Sequence, residues 1–382
     1  MIKGSMMHTA LRAALLAGLA AAPLAAAPGL ARAAELDIPV LVPITGFLAV
    51  EGASQRNGAV LALRKPPAGI TIKSSVIDTG TSPEVAVNAL ERALSDGSVA
   101  AAVAPMLGTQ MLALLPVAEE NKVPLITISG TAAITQKHNP YIFRFFPGDD
   151  VAKAAQVRYA IDHFKIAHPA ILYQTTAYGQ SGHAEILARL KEAAITPVYQ
   201  DGLDVAVKDL APSLAKARAA GADSLLLQLH GGPTALLMKA VAASGWKVAI
   251  IAGSGLTQPA TTALLEPGEL AGACAETSAS PESRETPAMA AFVDAYRAAF
   301  DATPDGFALA QYDATNMVLA AAAQGARTAA DITKALATMQ YDGLAMRYRS
   351  DGTGNMAHSA VIVCYDGASR VPRVAWHFDK TP

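Results

Sequence analysis

APMLGTQMLALLPVAEENKVPLITISGT, residues 104–131, decides the fold. Two apolar, strand-like segments, 99–104 and 123–128, each run into small hydroxyl and glycine residues, Leu107-Gly108-Thr109 and Ser129-Gly130-Thr131, with about twelve helix-prone residues between them. That is a βαβ unit with two open polar loops at the carboxyl ends of its strands. In an open parallel sheet ligands bind at those ends, because loop N–H groups and helix N-termini there face a crevice without backbone partners. Gly108 and Thr109 open the intervening helix, so free donors and the positive end of the helix dipole favour a carboxylate or another negative group beside them.

Outward from this unit the alternation continues. Residues 36–43 read as a buried strand, followed by a turn at Thr45-Gly46 and a helix over 53–63. Residues 70–78 read as the next strand, after which Ser82-Pro83-Glu84 opens a helix with a hydroxyl N-cap, a first-position proline and an early acid. A strand over 141–146 leads through Pro147-Gly148-Asp149-Asp150 into a second run of alternating strands and helices ending near 252. The class is therefore α/β, with two doubly wound parallel sheets. Helices over 287–300, 306–324 and 329–339 follow, the first with Phe292, Tyr296 and Phe300 on one face as core packing, and the tail reads as strands.

The first residues are read as a secretory signal peptide, 1–33: Lys3 and Arg12 are basic, 13–27 is a short apolar run rich in Ala and Leu, and Ala31-Arg32-Ala33 is a small-x-small cleavage site. No later stretch reaches the roughly 18 apolar residues of a membrane span, so an exported chain that is not membrane-embedded is expected. Removing Lys3, Arg12 and Arg32 from the 30 basic residues leaves 27 against 32 acidic ones, a formal charge of −5. With no Lys/Arg block, this argues against nucleic acid or anionic lipid as a partner. Cys274 and Cys364 both lie in apolar, strand-like contexts, and spacing leaves two readings open: separate buried thiols, or one bridge tying the late chain to an earlier strand.

Pro43-Ile44-Thr45-Gly46, Asp78 with Ser82-Pro83, Glu119-Glu120 with Val123-Pro124-Leu125-Ile126-Thr127, Tyr141-Ile142-Phe143-Arg144, and Tyr178-Gly179 after Ile171-Leu172-Tyr173 occur in an order and spacing that resembles the leucine/isoleucine/valine-binding family of periplasmic solute-binding proteins of ABC importers. The resemblance covers the whole chain beyond the signal segment. It implies two lobes joined by three hinge crossings, the type I fold: residues 35–146 with 280–345, and residues 147–279 with 346–382. It also implies a periplasmic monomer that traps a small carboxylated ligand between the lobes, without a cofactor, and hands it to a membrane permease. A sensor of the same fold, reporting occupancy to a receptor or enzyme system, is the second reading.

Carried over position by position, the family's site puts Gly108 and Thr109 where backbone and hydroxyl donors hold the ligand carboxylate. Ser129 and Thr131 fall where a carbonyl and a hydroxyl hold its ammonium, and Tyr178 where a second-lobe tyrosine closes over it. Three places depart from the amino-acid pattern: Ser254 where many amino-acid binders carry an acid, His230 where a tyrosine is frequent, and Glu51 near a position often aromatic. A buried ammonium without a carboxylate partner is poorly compensated, so the α-amino acid reading weakens unless Glu51 supplies the charge; branched-chain amino acids remain the ligand the family implies first, while aromatic or short hydroxy- and keto-acids suit the missing second-lobe acid better. His230, near its reference pKa of about 6.5, is expected to donate to a ligand carboxylate or carbonyl, and to be able to do so charged.

Catalysis finds little support. His230-Gly231-Gly232-Pro233 looks like an oxyanion-hole motif, but Ala252-Gly253-Ser254-Gly255-Leu256 lacks both outer glycines of a nucleophile elbow. There is no H-E-x-x-H, no G-x-G-x-x-G opening a helix after a strand and no P-loop lysine, so no enzyme, metal or nucleotide is expected.

Overall fold

The computed structural model describes residue 1, residues 34–95 and residues 97–380, so the expected signal segment lies outside the described residues apart from Met1. The βαβ unit forms where the sequence places it, as strand Ala102–Val103, helix Gly108–Asn121 and strand Leu125–Thr127, with Ala102 opposite Leu125 and Val103 opposite Ile126 in parallel register. It is the centre of a five-stranded, all-parallel sheet whose order is Val76–Asp78, Val40–Val42, Ala102–Val103, Leu125–Thr127, Ile142–Arg144. The two runs expected as single strands over 36–43 and 70–78 each break in two. Pro39 has no N–H to donate, so Ala34–Asp37 pairs with Ile70–Lys73 in a separate ribbon while Val40–Val42 pairs with Val76–Asp78.

The second sheet has seven strands. Tyr199–Leu203, Pro169–Gln174, Ser224–Gln228, Ala249–Ala252 and Cys274–Thr277 run parallel, and Ser359–Cys364 and Arg373–Asp379 add antiparallel at the far edge. Its strands are apolar on both faces, as helices on each side require, and two core clusters cover them: one around Leu172, Leu225, Leu227 and Ala252, the other around Ile171, Leu226, Ile251 and Ile362.

The chain leaves the first sheet after Ile142–Arg144 and returns to it after Cys274–Thr277, where helices Pro287–Phe300 and Gly306–Ala323 pack with Ala49–Leu63 through Leu61, Val293, Tyr296 and Leu309. Phe292, Tyr296 and Phe300 touch ring to ring in that core. The chain crosses once more between Arg347–Arg349 and Ser359–Cys364, running beside the first sheet's edge. There the Arg144 N–H donates to Gly354 O at 2.8 Å, and the Met356 N–H donates to Arg144 O at 2.9 Å.

Cys274 and Cys364 sit opposite each other on neighbouring antiparallel strands and are joined by a disulfide, their Cα atoms 4.1 Å apart. In the adjacent pair the Tyr365 N–H donates to Ala273 O at 2.9 Å, so the cysteines occupy the closer, non-hydrogen-bonded pair, the spacing that suits a bridge. Of the two readings the sequence left open, the structure shows the bridge.

Candidate functional site

The carboxyl ends of both parallel sheets open onto one cleft. The first half of the molecule lines it with Leu48, Met106, Leu107, Ile128, Phe146 and Phe307, the last two rings stacked at 4.9 Å. From the second half come Tyr178 and His230, whose rings lie 4.9 Å apart, and Phe47 from the first half leans on His230 at 5.4 Å. The walls are thus apolar and aromatic, with a few polar groups between them, which is the usual build of a small-molecule site.

Of the residues singled out in the sequence, Glu51, Tyr178, His230 and Ser254 line the cleft. Gly108, Thr109, Ser129 and Thr131 do not; their neighbours Met106, Leu107, Ile128 and Gly130 do. Ser129 and Thr131 lie buried behind them, and both hydroxyls lack a hydrogen-bond partner. A Cβ on Gly108 would come within 2.0 Å of Thr131 Oγ1, so only glycine lets that hydroxyl sit at the N-terminus of helix Gly108–Asn121. The loop is held from below by the buried Arg144, whose guanidinium donates to Gly130 O at 3.1 Å and Thr131 O at 2.9 Å and also contacts Asn355.

Three further residues, not singled out in the sequence, complete the site: Asp149, Gln228 and Glu276. Asp149 opens helix Asp149–Tyr159, where an early acid reads as ordinary dipole compensation. Yet it is buried, its N–H donates to Gly130 O at 2.8 Å, and its carboxylate lines the cleft. Glu276 lies in the buried strand Cys274–Thr277 and pairs with the fully buried Lys153 at 2.6 Å. Gln228 donates to Tyr178 O at 3.1 Å and to Asp149 Oδ1 at 3.4 Å. The signal available in the sequence was an acid inside an apolar strand, Glu276, and a lysine one turn after Asp149 among small apolar residues.

These groups leave acceptors unused. Asp149 Oδ2, Gln228 Oε1 and Glu276 Oε2 are buried without a hydrogen-bond partner. The side chains that carry them are neighbours: a Cβ on Gly253 would meet Tyr178 Oη at 2.7 Å, Gln228 Oε1 at 3.2 Å and the Glu276 carboxylate, through Oε1, at 3.4 Å, and the Gln228 amide in turn reaches Asp149 Oδ1. The missing acid inferred from Ser254 is therefore supplied from other strands and helices, and Ser254 instead bonds the Tyr178 hydroxyl through its side chain and Glu276 Oε1 through its N–H at 3.2 Å.

Burial sets the protonation states. It pushes Glu51 up to about 7, against the pull of the Gly231 N–H, and Asp149 up to about 7, against the pull of Lys153. Burial lowers His230 to about 4, so at neutral pH it is a neutral imidazole rather than a cation, a correction to the charged donor read from the sequence. The Tyr178 phenol is raised well above its ordinary value by burial and then by Glu276 and Asp149. His230 Nε2 faces Thr176 Oγ1 at 3.3 Å and Ser254 bonds Tyr178, so the two do not pair as base and nucleophile. Among the described residues no group of three or more His, Cys, Asp or Glu could hold a metal ion, and no helix is long and apolar enough to cross a membrane.

The halves touch across the cleft. The Ala132 N–H of the first donates to Ser181 Oγ of the second at 2.9 Å, and the Glu51 carboxylate accepts from the Gly231 N–H that opens helix Gly231–Ser244.

Comparison with known proteins agrees with this geometry. The model of the family described as "Periplasmic binding protein" matches residues 35–369. The chain is 28% identical over 339 residues to a Leu/Ile/Val-binding protein, BraC3, of Rhizobium johnstonii, covering 87% of this chain and 89% of the relative. Among solved structures it is similar to the branched-chain amino acid substrate-binding protein LivJ of Streptococcus pneumoniae in complex with isoleucine, with a TM-score of 0.80, 20% identity and coverage of 91% and 100% of the two chains. It is likewise similar to an R. palustris solute-binding protein in complex with benzoate, with a TM-score of 0.82, 16% identity and coverage of 90% and 96%.

Proposed function

Because the chain belongs to the periplasmic binding protein family and has its type I fold, we propose that it is the solute-capturing component of an ABC importer, and that its solute is a small zwitterion with an apolar or aromatic body. The lobes in this reading are residues 35–146 with 280 onward, and residues 147–279 with the tail, hinged at the three crossings, and the periplasm is their compartment. The last crossing falls between Arg349 and Ser359 rather than at 345/346, because Tyr348 and Met356 pack in the core of the first sheet. Closure would take the solute out of water, and the closed form would be what the permease meets.

The observation that carries the zwitterion is the pair of unpartnered acceptors Asp149 Oδ2 and Glu276 Oε2 at a cleft whose lining includes no Lys or Arg, with the unpartnered Gln228 Oε1 beside them. An ammonium brings three donors and a positive charge, and answers both deficits. Ser129 O and the Thr131 hydroxyl would share the ammonium, while the free N–H groups at Gly108 and Thr109 would take the carboxylate. The stacked Phe146 and Phe307 and the Tyr178–His230 pair supply the apolar walls. A few charge-assisted hydrogen bonds and that wall suffice for micromolar binding, about −8 kcal/mol.

The same rings favour a second reading, an aromatic acid without an amine, which would pair with protonated Glu51 and Asp149. Calorimetric titration with leucine and phenylalanine against 2-hydroxyisocaproate, phenyllactate and benzoate separates the two. Tighter binding of the amine-bearing members supports the zwitterion; tighter binding of their amine-free analogues overturns it. Co-purification with a permease, rather than with a receptor, tests import.

A further inference from the structure

With the ammonium answered by Asp149, Gln228 and Glu276, one acid of the cleft is left without a task. Glu51 sits in the first turn of helix Ala49–Leu63, is only 6% exposed, and lines the cleft. Its carboxylate points across to the start of helix Gly231–Ser244: a Cβ on Gly231 would lie 3.3 Å from Glu51 Oε1, 2.8 Å from Gln258 Oε1 and 2.3 Å from Thr261 Oγ1. Around this spot the groups are acceptors or are already engaged. Gln258 Oε1 accepts from the Thr261 hydroxyl at 3.3 Å, and the neighbouring His230 ring faces Thr176. The one charge acting on Glu51 is another acid, Asp305, and its donors are backbone N–H groups, its own and that of Gly231. A helix N-terminus offsets part of the cost of burying a carboxylate, but no counter-charge completes it.

This acid is separate from the head-group acids. Glu51 Oε1, Gln258 and Thr261 surround the place of a Cβ on Gly231, whereas Glu276, Gln228 and the Tyr178 hydroxyl surround that of a Cβ on Gly253, and the Tyr178 phenol feels Glu276, Asp149 and Glu51. The cleft thus has two acceptor poles, with the Tyr178 ring in reach of both.

We infer that Glu51 is a specificity-determining residue: it forms the second pole and selects ligands whose distal end carries a hydrogen-bond donor, an amine, amide or hydroxyl, over ligands that end in methyl groups. The inference rests on the zwitterion reading, because only when the ammonium is held elsewhere is Glu51 free for the far end of the ligand. A donor that reaches the carboxylate gains a charge-assisted bond in a dry site, and a methyl group there leaves the acid as it was.

The test is calorimetry with two near-isosteric pairs of probes, norleucine with lysine and phenylalanine with tyrosine, on the full chain and on Glu51→Leu and Glu51→Gln. The wild-type protein is expected to bind the donor-ended member at least about tenfold more tightly. Glu51→Leu should erase that preference by weakening the donor-ended member alone, and its retained binding of the apolar member shows that it is folded. Glu51→Gln, which keeps the shape and removes the charge, should cost lysine more than tyrosine. Equal affinities within both pairs, or preference for the apolar members, overturn the role of Glu51 and leave the zwitterion reading standing. Equal weakening of both members in Glu51→Leu also overturns it and makes the residue a cap for the opposite helix. Binding of none of the four probes overturns the zwitterion reading itself and this inference with it.

Discussion

Lys153 Nζ lies 2.6 Å from Glu276 Oε1 with both side chains buried, so the second half of the cleft is floored by a buried ion pair. The pair leaves Glu276 Oε2 without a partner while Lys153 holds the Asp149 carboxyl down against burial. One lysine therefore supports two of the acids that face the ligand.

Removing that lysine alone should be severe. Lys153→Met leaves Glu276 buried and uncompensated, and is expected to lower unfolding free energy by about 3–5 kcal/mol in urea titrations. The double variant Lys153→Met, Glu276→Leu should recover most of that stability while losing ligand binding. If the double variant is no more stable than the single one, the pair is not the source of the cost.

Thr131 separates stability from binding. Its hydroxyl is buried and unpartnered, so Thr131→Val should leave the melting temperature of the free protein unchanged or slightly higher, while weakening the ligand by about 1–3 kcal/mol. Gly108→Ala, whose methyl would press on Thr131 Oγ1, should weaken the same ligand. Unchanged calorimetric affinity in both variants would remove this loop from the site.

The pH dependence follows from the raised acids. Glu51 rises from 4.5 to about 7 and Asp149 from 3.8 to about 7 on burial, whereas in the unfolded chain both ionise near their ordinary values. Between those limits the folded protein holds protons that the unfolded chain has lost, so this contribution is full below about pH 4 and is lost as pH rises to about 7, about 2–4 kcal/mol per group. The free protein should melt at a higher temperature at pH 5 than at pH 8, and Glu51→Gln should flatten that slope. An ammonium-bearing ligand prefers the ionised acids, so its affinity should rise over the same interval; a fall would favour the amine-free acid.

The disulfide closes a loop of 90 residues between the strand that carries Glu276 and the antiparallel edge. Cys274→Ala with Cys364→Ala should cost about 2–5 kcal/mol of stability. Dithiothreitol should lower the melting temperature of the wild-type protein and leave the double variant unaffected. An equal effect of reductant on both would mean that the bridge is not the element being read.

The two doubly wound halves were legible because strand and helix periods, caps such as Ser82-Pro83, and loops rich in Gly, Ser and Thr are local properties of the chain. The βαβ unit at 104–131 and the aromatic stripe through Phe292 were found from those signals, whereas Glu51, Tyr178, His230 and Ser254, which line the cleft, came from the family resemblance. Asp149 and Glu276 were not, because an acid at a helix start or in a strand has the same local appearance whether it faces solvent, a lysine or a ligand. Nor could spacing decide between free and bridged cysteines, since the pairing of Cys274 with Cys364 depends on strand register across 90 residues.

By itself, then, the sequence determined the class of the fold, the order of its strands and helices and the loops on which the cleft stands, since these follow from short-range patterns of polarity and backbone freedom. Which side chains meet in that cleft, and with what charge, was decided only in the folded protein. Asp149 and Lys153 come from one helix of the second half and Gln228 and Glu276 from two of its strands, and Glu51 meets Gly231 across the cleft. Burial, which sets the protonation of Glu51, Asp149 and His230, is a property of everything packed around a residue and is carried by none of its neighbours in the chain.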